Sequence, residues 1–350
     1  MSTVLVSPQL TPSAARARGV WSAAAVRFRT DRVGMTSLVI VVLFLLVVLA
    51  ASLGLVAKDW QVERGVPDAP PTFMGPAAPT ETAAIAAPSG PNVDISAIDP
   101  LAPRYQEWAE AAKKYQTTES VKATTLPFGA DRLGRDVLAK AVKGAQVSIL
   151  VGVAAAIVAT LIGTLLGAVA GFFGGKVGDF LEWVYNVFTA MPSILLIFAF
   201  AAVFPRGVIS VVMILGLAGW TGIYRLVRAE FIKHAVRDYV RSAEAIGAST
   251  ASRMFRHILP NVSHVVLVQL SIHVVGFIKS EVILSYLGLG VGVDQVSWGT
   301  MLADAQSELI LGHWWQLAAA TILMAVFVTA FSLMTDALRD ALDPKLRGLE

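Results

Sequence analysis

The chain has 350 residues, of which 55% are hydrophobic and 15% charged, with a formal net charge of +3 and a mean hydropathy of +0.66. This composition excludes a disordered chain and argues against an ordinary soluble domain. The absence of cysteine excludes a disulfide framework, a thiolate metal site and a cysteine nucleophile.

A pI near 9.2 is not a nucleic-acid footprint here, because the basic residues cluster beside apolar runs, where they report membrane orientation. Residues 1–35 read as a cytosolic tail carrying Arg16, Arg18, Arg27, Arg29 and Arg32. Within it, VWSAAAVRFRTDR is either an interfacial amphipathic helix or a solvated basic stretch. The first apolar run, 36–57, is too long and begins too late for a cleavable signal. Five more runs follow, at 146–172, 183–205, 207–224, 258–278 (continuing less cleanly to 289) and 314–335. Spanning a hydrocarbon core takes about 20 apolar residues, so the predicted fold is an all-α integral membrane protein with six transmembrane helices.

Orientation follows from the loops. The 225–257 loop holds Arg225, Arg228, Lys233, Arg237, Arg241, Arg253 and Arg256, whereas 286–316 holds no Lys or Arg. The first loop is therefore placed in the cytosol with both termini, including the 336–350 tail, and the second outside. The resulting expectation is a bacterial inner membrane protein with a 58–145 extracytoplasmic loop, a 146–335 helical core and membrane lipid around it. The Pro/Ala-rich part of that loop reads as extended linker, and PRYQEWAEAAKKYQ (103–116) as a short helix.

Before the second span, LPFGADRLGRDVLAKAVKGAQVSI (126–149) places two glycines and two aspartates where a tight turn leads into a capped helix. Gly163, Gly167 and Gly171 then recur every four residues, a spacing that lets helix backbones meet closely in a bilayer. Asn186, Thr189 and Pro192 interrupt the third span and predict a kink, in a pathway-lining or a passive helix. Lys279 and Glu281 lie near the outer half of the fifth. Charges there face a bundle interior or a watery cavity, so a pathway and a structural ion pair both remain open.

The most distinctive stretch is RSAEAIGASTASRMFRHILP (241–260), read as one polar, basic helical segment between two apolar spans. Small residues around Gly247 permit close approach of another surface, and Pro260 marks where the next helix can begin.

Catalytic chemistry is missing. The five histidines form no H-E-x-x-H pattern, and GFFGGKV lacks the P-loop spacing, with Val177 where Ser or Thr is required. GLGVG (288–292) has the wrong spacing for a dinucleotide fingerprint. The chain is read as a non-enzyme that binds no cofactor or metal.

Four stretches together resemble the permease subunits of ABC importers of the dipeptide/oligopeptide/nickel class. Ala243, Gly247, Leu259 and Pro260 match that family's cytoplasmic loop motif, with Arg241 in place of its Glu, Ser242 of its first Ala and His257 of its Ile. Gly129, Asp131, Gly134, Arg135 and Asp136 match the Gly-Thr-Asp-x-x-Gly-Arg-Asp stretch, with Ala130 for Thr. Leu284, Ser285, Leu287, Gly288, Leu289 and Gly290, then Ser297, Trp298, Gly299, Met301 and Leu302, match the run after the fifth span. DALRDALDPKLR (336–347) is similar to the family's ending. The resemblance covers roughly residues 126–347. It implies half of a translocation pathway for peptides, with a second permease, two P-loop ATPases that use ATP and magnesium, and an extracytoplasmic binding protein as partners. It also implies an ATPase-coupling helix between spans 4 and 5, formed by Arg241, Ser242, Ala243, Glu244, Ala245, Gly247, Arg253, Arg256, His257, Leu259 and Pro260. A nickel or other small-solute importer, or an ion-coupled secondary transporter, stays open as an alternative.

Overall fold

Two aspartates fix where the first long helices begin. In the computed structural model, which describes residues 20–76, 99–114 and 122–342, Asp31 caps α2 (Arg32–Ser52) by accepting from Val33 N. Asp136 caps α4 (Val137–Phe173) by accepting from Leu138 N and Ala139 N, so two orphan amides at the start of a 37-residue helix find a partner. Most of the Pro/Ala-rich linker, with Arg16, Arg18, Lys345 and Arg347, lies outside the described residues.

Every regular element among the described residues is helical; only isolated bridges tie the outer loop together. α1 (Val20–Thr30) precedes α2, and α3 (Tyr105–Lys114) sits in the long loop. After α4 come α5 (Gly175–Thr189), α6 (Ser193–Val203), α7 (Val208–Gly219), α8 (Thr221–Ala235), α9 (Asp238–Ala245), α10 (Leu259–Tyr286), α11 (Trp298–Ile310) and α12 (Trp315–Leu342). Four helices are long and apolar enough to cross a membrane, and six spans result if each bent pair counts as one. Those pairs are α5 with α6, bent by 85°, and α7 with α8, bent by 44°. The sharper bend falls at Ala190–Pro192, where proline cannot donate to the preceding turn.

Several boundaries differ from the sequence expectation. α2 occupies 32–52 rather than 36–57, because Gly54 turns the chain at φ +71°. α12 runs to Leu342, so 336–342 is helix rather than tail. α1 is docked: Ala24 and Phe28 pack against Val268, Leu338, Ala341 and Leu342. The single helical segment over 241–260 is corrected to two elements, because α9 stops at Ala245 and helix resumes only at Thr250. Pro260 stands in the first turn of α10, as the sequence suggested, but no break precedes it. A π-helical turn over Ser252–Ile258 feeds directly into α10, and its widened hydrogen-bonding accommodates a residue that has no N–H.

α4 is the central post and touches α2, α5, α7, α8, α10, α11 and α12. Its glycines set how near those neighbours come. A Cβ on Gly163 would fall 2.0 Å from Ile223 Cγ2, one on Gly167 2.6 Å from the Tyr224 carbonyl oxygen, and one on Gly171 2.5 Å from that of Arg228. On the same helix a Cβ at Gly152 would meet Ile278 at 2.3 Å. α8 and α10 therefore lie backbone-close against α4, as small-residue packing allows without a hydrophobic drive between helices.

Candidate functional site

At the end of the bundle where α4 finishes and α10 begins, α9 packs Val240 into a core with Phe231, Met254, Ile258 and Val262, and Ala243 is buried as well. Arg241, Ser242, Glu244 and Ala245 are exposed on its other side. The helix ends in a Schellman turn: Gly247 N donates to Glu244 O and Ala248 N to Ala243 O, both at 2.9 Å. Gly247 adopts φ +85° with nothing within 4 Å of where a Cβ would stand. The turn thrusts Ile246 outward at 85% exposure.

This knob is braced from beneath. Arg253 Nη1 lies 2.5 Å from Glu244 Oε1, and the same guanidinium sits 5.4 Å over the Phe172 ring at the end of α4. Glu244 is 61% exposed, so the ion pair contributes no more than about 1 kcal/mol. Its consequence is alignment: the turn is registered against the end of the central helix. Of the other residues the sequence singled out here, Arg256 and Pro260 are exposed, while His257 and Leu259 are half-buried. The His257 carbonyl accepts from Asn261 Nδ2 at 2.7 Å. Ile246 and Phe172 were absent from the sequence-derived set; an apolar residue just before a helix-ending glycine was the available signal for Ile246.

At the opposite end, the Gly-Ala-Asp-x-x-Gly-Arg-Asp stretch forms a buried ionic knot. Asp131 is fully buried; its Oδ2 accepts from Arg135 Nε at 2.7 Å and Lys140 Nζ at 2.9 Å, and its Oδ1 from Leu133 N and Arg135 N at 3.0 Å. Burial works to raise the Asp131 pKa, but the Lys140 charge and the hydrogen bonds from Arg135 and Lys140 outweigh it and hold the carboxyl below its ordinary value. Lys140 also donates to Asp304 Oδ2 and Gln316 Oε1, each at 3.0 Å, which ties α4 to α11 and α12. Gly134, at φ +77°, leaves no room for a Cβ, which would meet Gly65 O at 2.2 Å. Trp315 Nε1 donates to Ala130 O at 2.6 Å. Glu308 on α11 is buried beside this knot, and desolvation pushes its pKa up to about 7.

The candidate pathway residues fall in different surroundings. Asn186, Pro192 and Lys279 are exposed. Glu281 is fully buried, and its Oε1 accepts from Ser285 Oγ at 2.6 Å, with the Ser148 and Ser297 hydroxyls alongside. Ser297 caps α11, and Trp298 N donates to Ser148 Oγ at 3.1 Å. The carboxylate thus joins α10 to the start of α11 and to α4. The described residues contain no group of His, Asp and Glu able to hold a metal ion.

Residues 163–348 match the family described as the binding-protein-dependent transport system inner membrane component. The chain belongs to that family. It is therefore an inner membrane component of an ABC transporter, a permease subunit of several apolar helices. It is 35% identical over 254 residues to the oligopeptide transport system permease protein OppC of Escherichia coli (strain K12), covering 71% of this chain and 82% of that one. It is 33% identical over 238 residues to the OppC of Bacillus subtilis (strain 168), covering 67% and 78%. The dipeptide transport system permease protein DppC of the same strain is 35% identical over 220 residues, covering 63% and 69%.

Proposed function

We propose that this chain forms one transmembrane half of a peptide importer and takes its motion from ATPases seated on the turn at 246–248. The observation that carries the mechanical part is Ile246: a large apolar side chain held in the open by a Schellman turn, with a guanidinium bracing the turn against α4. An exposed apolar knob beside the exposed Arg241 and Glu244 of the same helix suits a pocket on another protein, with the apolar tip as anchor and the charges as rim. Because α9, the π-helical turn and α8 share one small core, a push on the knob moves α8 and α10 as bodies rather than deforming the turn.

The remaining partners follow from the family's dependence on a binding protein: an extracytoplasmic carrier that delivers solute, a second permease subunit and two P-loop ATPases, which use ATP and magnesium. The cytosolic placement of α9 and of both termini rests on the Lys/Arg asymmetry of the loops. Peptide as cargo is supported by relatives named for oligopeptide and dipeptide transport. An ion-coupled mechanism has no support of this kind, and Glu281, the carboxylate it would need, is held among serine hydroxyls.

The test is uptake of labelled di- and oligopeptides, and of nickel, by cells that lack this subunit and by the same cells with it restored. Peptide uptake that depends on the subunit and on ATP is expected. Restoration of nickel uptake alone would overturn the peptide assignment, and uptake of any of these solutes driven by an ion gradient without ATP would overturn the permease mechanism.

A further inference from the structure

At the end of the bundle away from α9, a cavity of about 400 Å³ opens between Trp60, the 132–135 turn, the end of α10 and the 287–296 loop. A second, of about 270 Å³, adjoins it and shares Trp60, Gln295 and Val296 as its walls. Each is near or within the roughly 300–1,000 Å³ typical of small-molecule sites.

The charge in this two-lobed groove is one-sided. Arg132, Arg135, Lys140, Lys143 and Arg206 line it, against Asp294 and Asp304, with Asp131 behind the wall. Arg135 and Lys140 are neutralised by Asp131 and Asp304. Arg132 reaches Asp304 only at 4.0 Å and is 58% exposed. Arg206 and Lys143 make no hydrogen bond or ion pair among the described residues. In the smaller lobe, Gln146 Oε1 is buried without a hydrogen-bond partner, although an unpaired buried acceptor costs on the order of 1–3 kcal/mol. One unpaired guanidinium, a second held only at 4.0 Å, and an unpaired amide acceptor in the adjoining lobe constitute a recognition pattern, not a packing one.

We infer that this groove is a receiving site for the solute itself, with Arg206 and Arg132 taking the C-terminal carboxylate of a short peptide and Gln146 Oε1 accepting one of its N–H groups. A guanidinium presents paired donors that match a carboxylate's two oxygens. Trp60 separates the lobes and offers an apolar wall to the peptide's side chains. The backbone next to Arg206 is held from outside the cavity: Gly207 N donates to Gly290 O at 3.3 Å, which ties the start of α7 to the 287–296 loop.

This inference rests on the peptide reading above, and the test separates the two. The complete complex, with its binding protein at saturating concentration, is reconstituted in lipid vesicles. ATP-driven uptake of a tripeptide is compared with that of its C-terminal amide, for wild type, Arg206→Gln and Gln146→Leu. Both peptides' affinities for the binding protein are measured separately and divided out. Wild type is expected to prefer the free acid by about tenfold, and Arg206→Gln to bring that ratio close to one without loss of complex assembly. Gln146→Leu is expected to slow both peptides while keeping the ratio. An unchanged ratio in Arg206→Gln would overturn the site. So would an equal fall for both peptides with weaker docking of the binding protein, because the arginine would then contact an acidic group on that protein. No uptake of either peptide by wild type would overturn the peptide reading itself.

Discussion

Arg253 and Glu244 meet at 2.5 Å across the turn that carries Ile246, and Arg253 simultaneously covers the Phe172 ring. One side chain therefore links the exposed knob to the end of the helix around which the whole bundle is built. Arg253→Ala removes the ion pair and the ring interaction together. Its effect on folding is expected to be small, about 1 kcal/mol or less from each of these two surface interactions. Its effect on coupling is expected to be large: solute-stimulated ATP hydrolysis in the reconstituted complex should fall severalfold, while Glu244→Gln, which spares the ring interaction, should fall less. Equal, small effects of both would show that the brace does not transmit motion.

Gly247 offers a backbone test at the same turn. At φ +85° an L-residue carries a penalty of about 1–2 kcal/mol, and a β-branched one more. Gly247→Val should leave the subunit inserted and assembled but uncoupled, whereas Gly247→Asn, which tolerates this conformation, should retain most uptake. Since nothing lies within 4 Å of the missing Cβ, a deficit in both variants alike would point to a clash with a partner rather than to the turn.

The glycine stripe on α4 makes a stability prediction. Gly167→Leu drives a side chain into the Tyr224 carbonyl, 2.6 Å from its Cβ, and overpacking of this kind costs at least about 1–3 kcal/mol. A lowered melting temperature of the detergent-solubilised protein is expected. Gly276→Ala, with nothing within 4 Å, is the matched control and should melt like wild type.

How much of this was legible in the sequence differs by element. The spans announced themselves through hydropathy, because about 20 apolar residues in a row have few other uses. The glycine spacing was visible, but its partner, α8, was not: which helix fills a small-residue groove depends on tertiary geometry. Pro192 signalled a bend without its 85° size. The segment at 241–260 was recognisable as polar and helical, yet its division at Ile246–Gly247 was missed, since a helix-ending glycine and a mid-helix glycine look alike in a polar run. The buried knot was the hardest to read. Lys140 follows Asp131 by nine residues, but Asp304 and Gln316 are more than 160 residues away, and only the fold brings them together.

Glu308 links that knot to pH. Its folded pKa is about 7, above the ordinary 4.5, with desolvation as the main cause. The folded state therefore binds a proton more tightly than the unfolded chain does. This contribution to stability is fully present below about pH 4.5 and is lost as pH rises through about 7. Melting temperature should fall between these values in wild type, and Glu308→Gln, which cannot titrate, should flatten that part of the profile. An unchanged profile would show that Glu308 is solvated in the membrane-embedded protein.

The most direct test replaces the knob's tip. Ile246→Asp keeps the turn, the brace and the helices but puts a charge where an apolar anchor is proposed. Uptake and solute-stimulated ATP hydrolysis are measured together in vesicles holding the full complex. Loss of both, with the subunit still folded and its ATPases bound weakly or not at all, is the predicted result; wild-type uptake with wild-type stimulation would contradict the account.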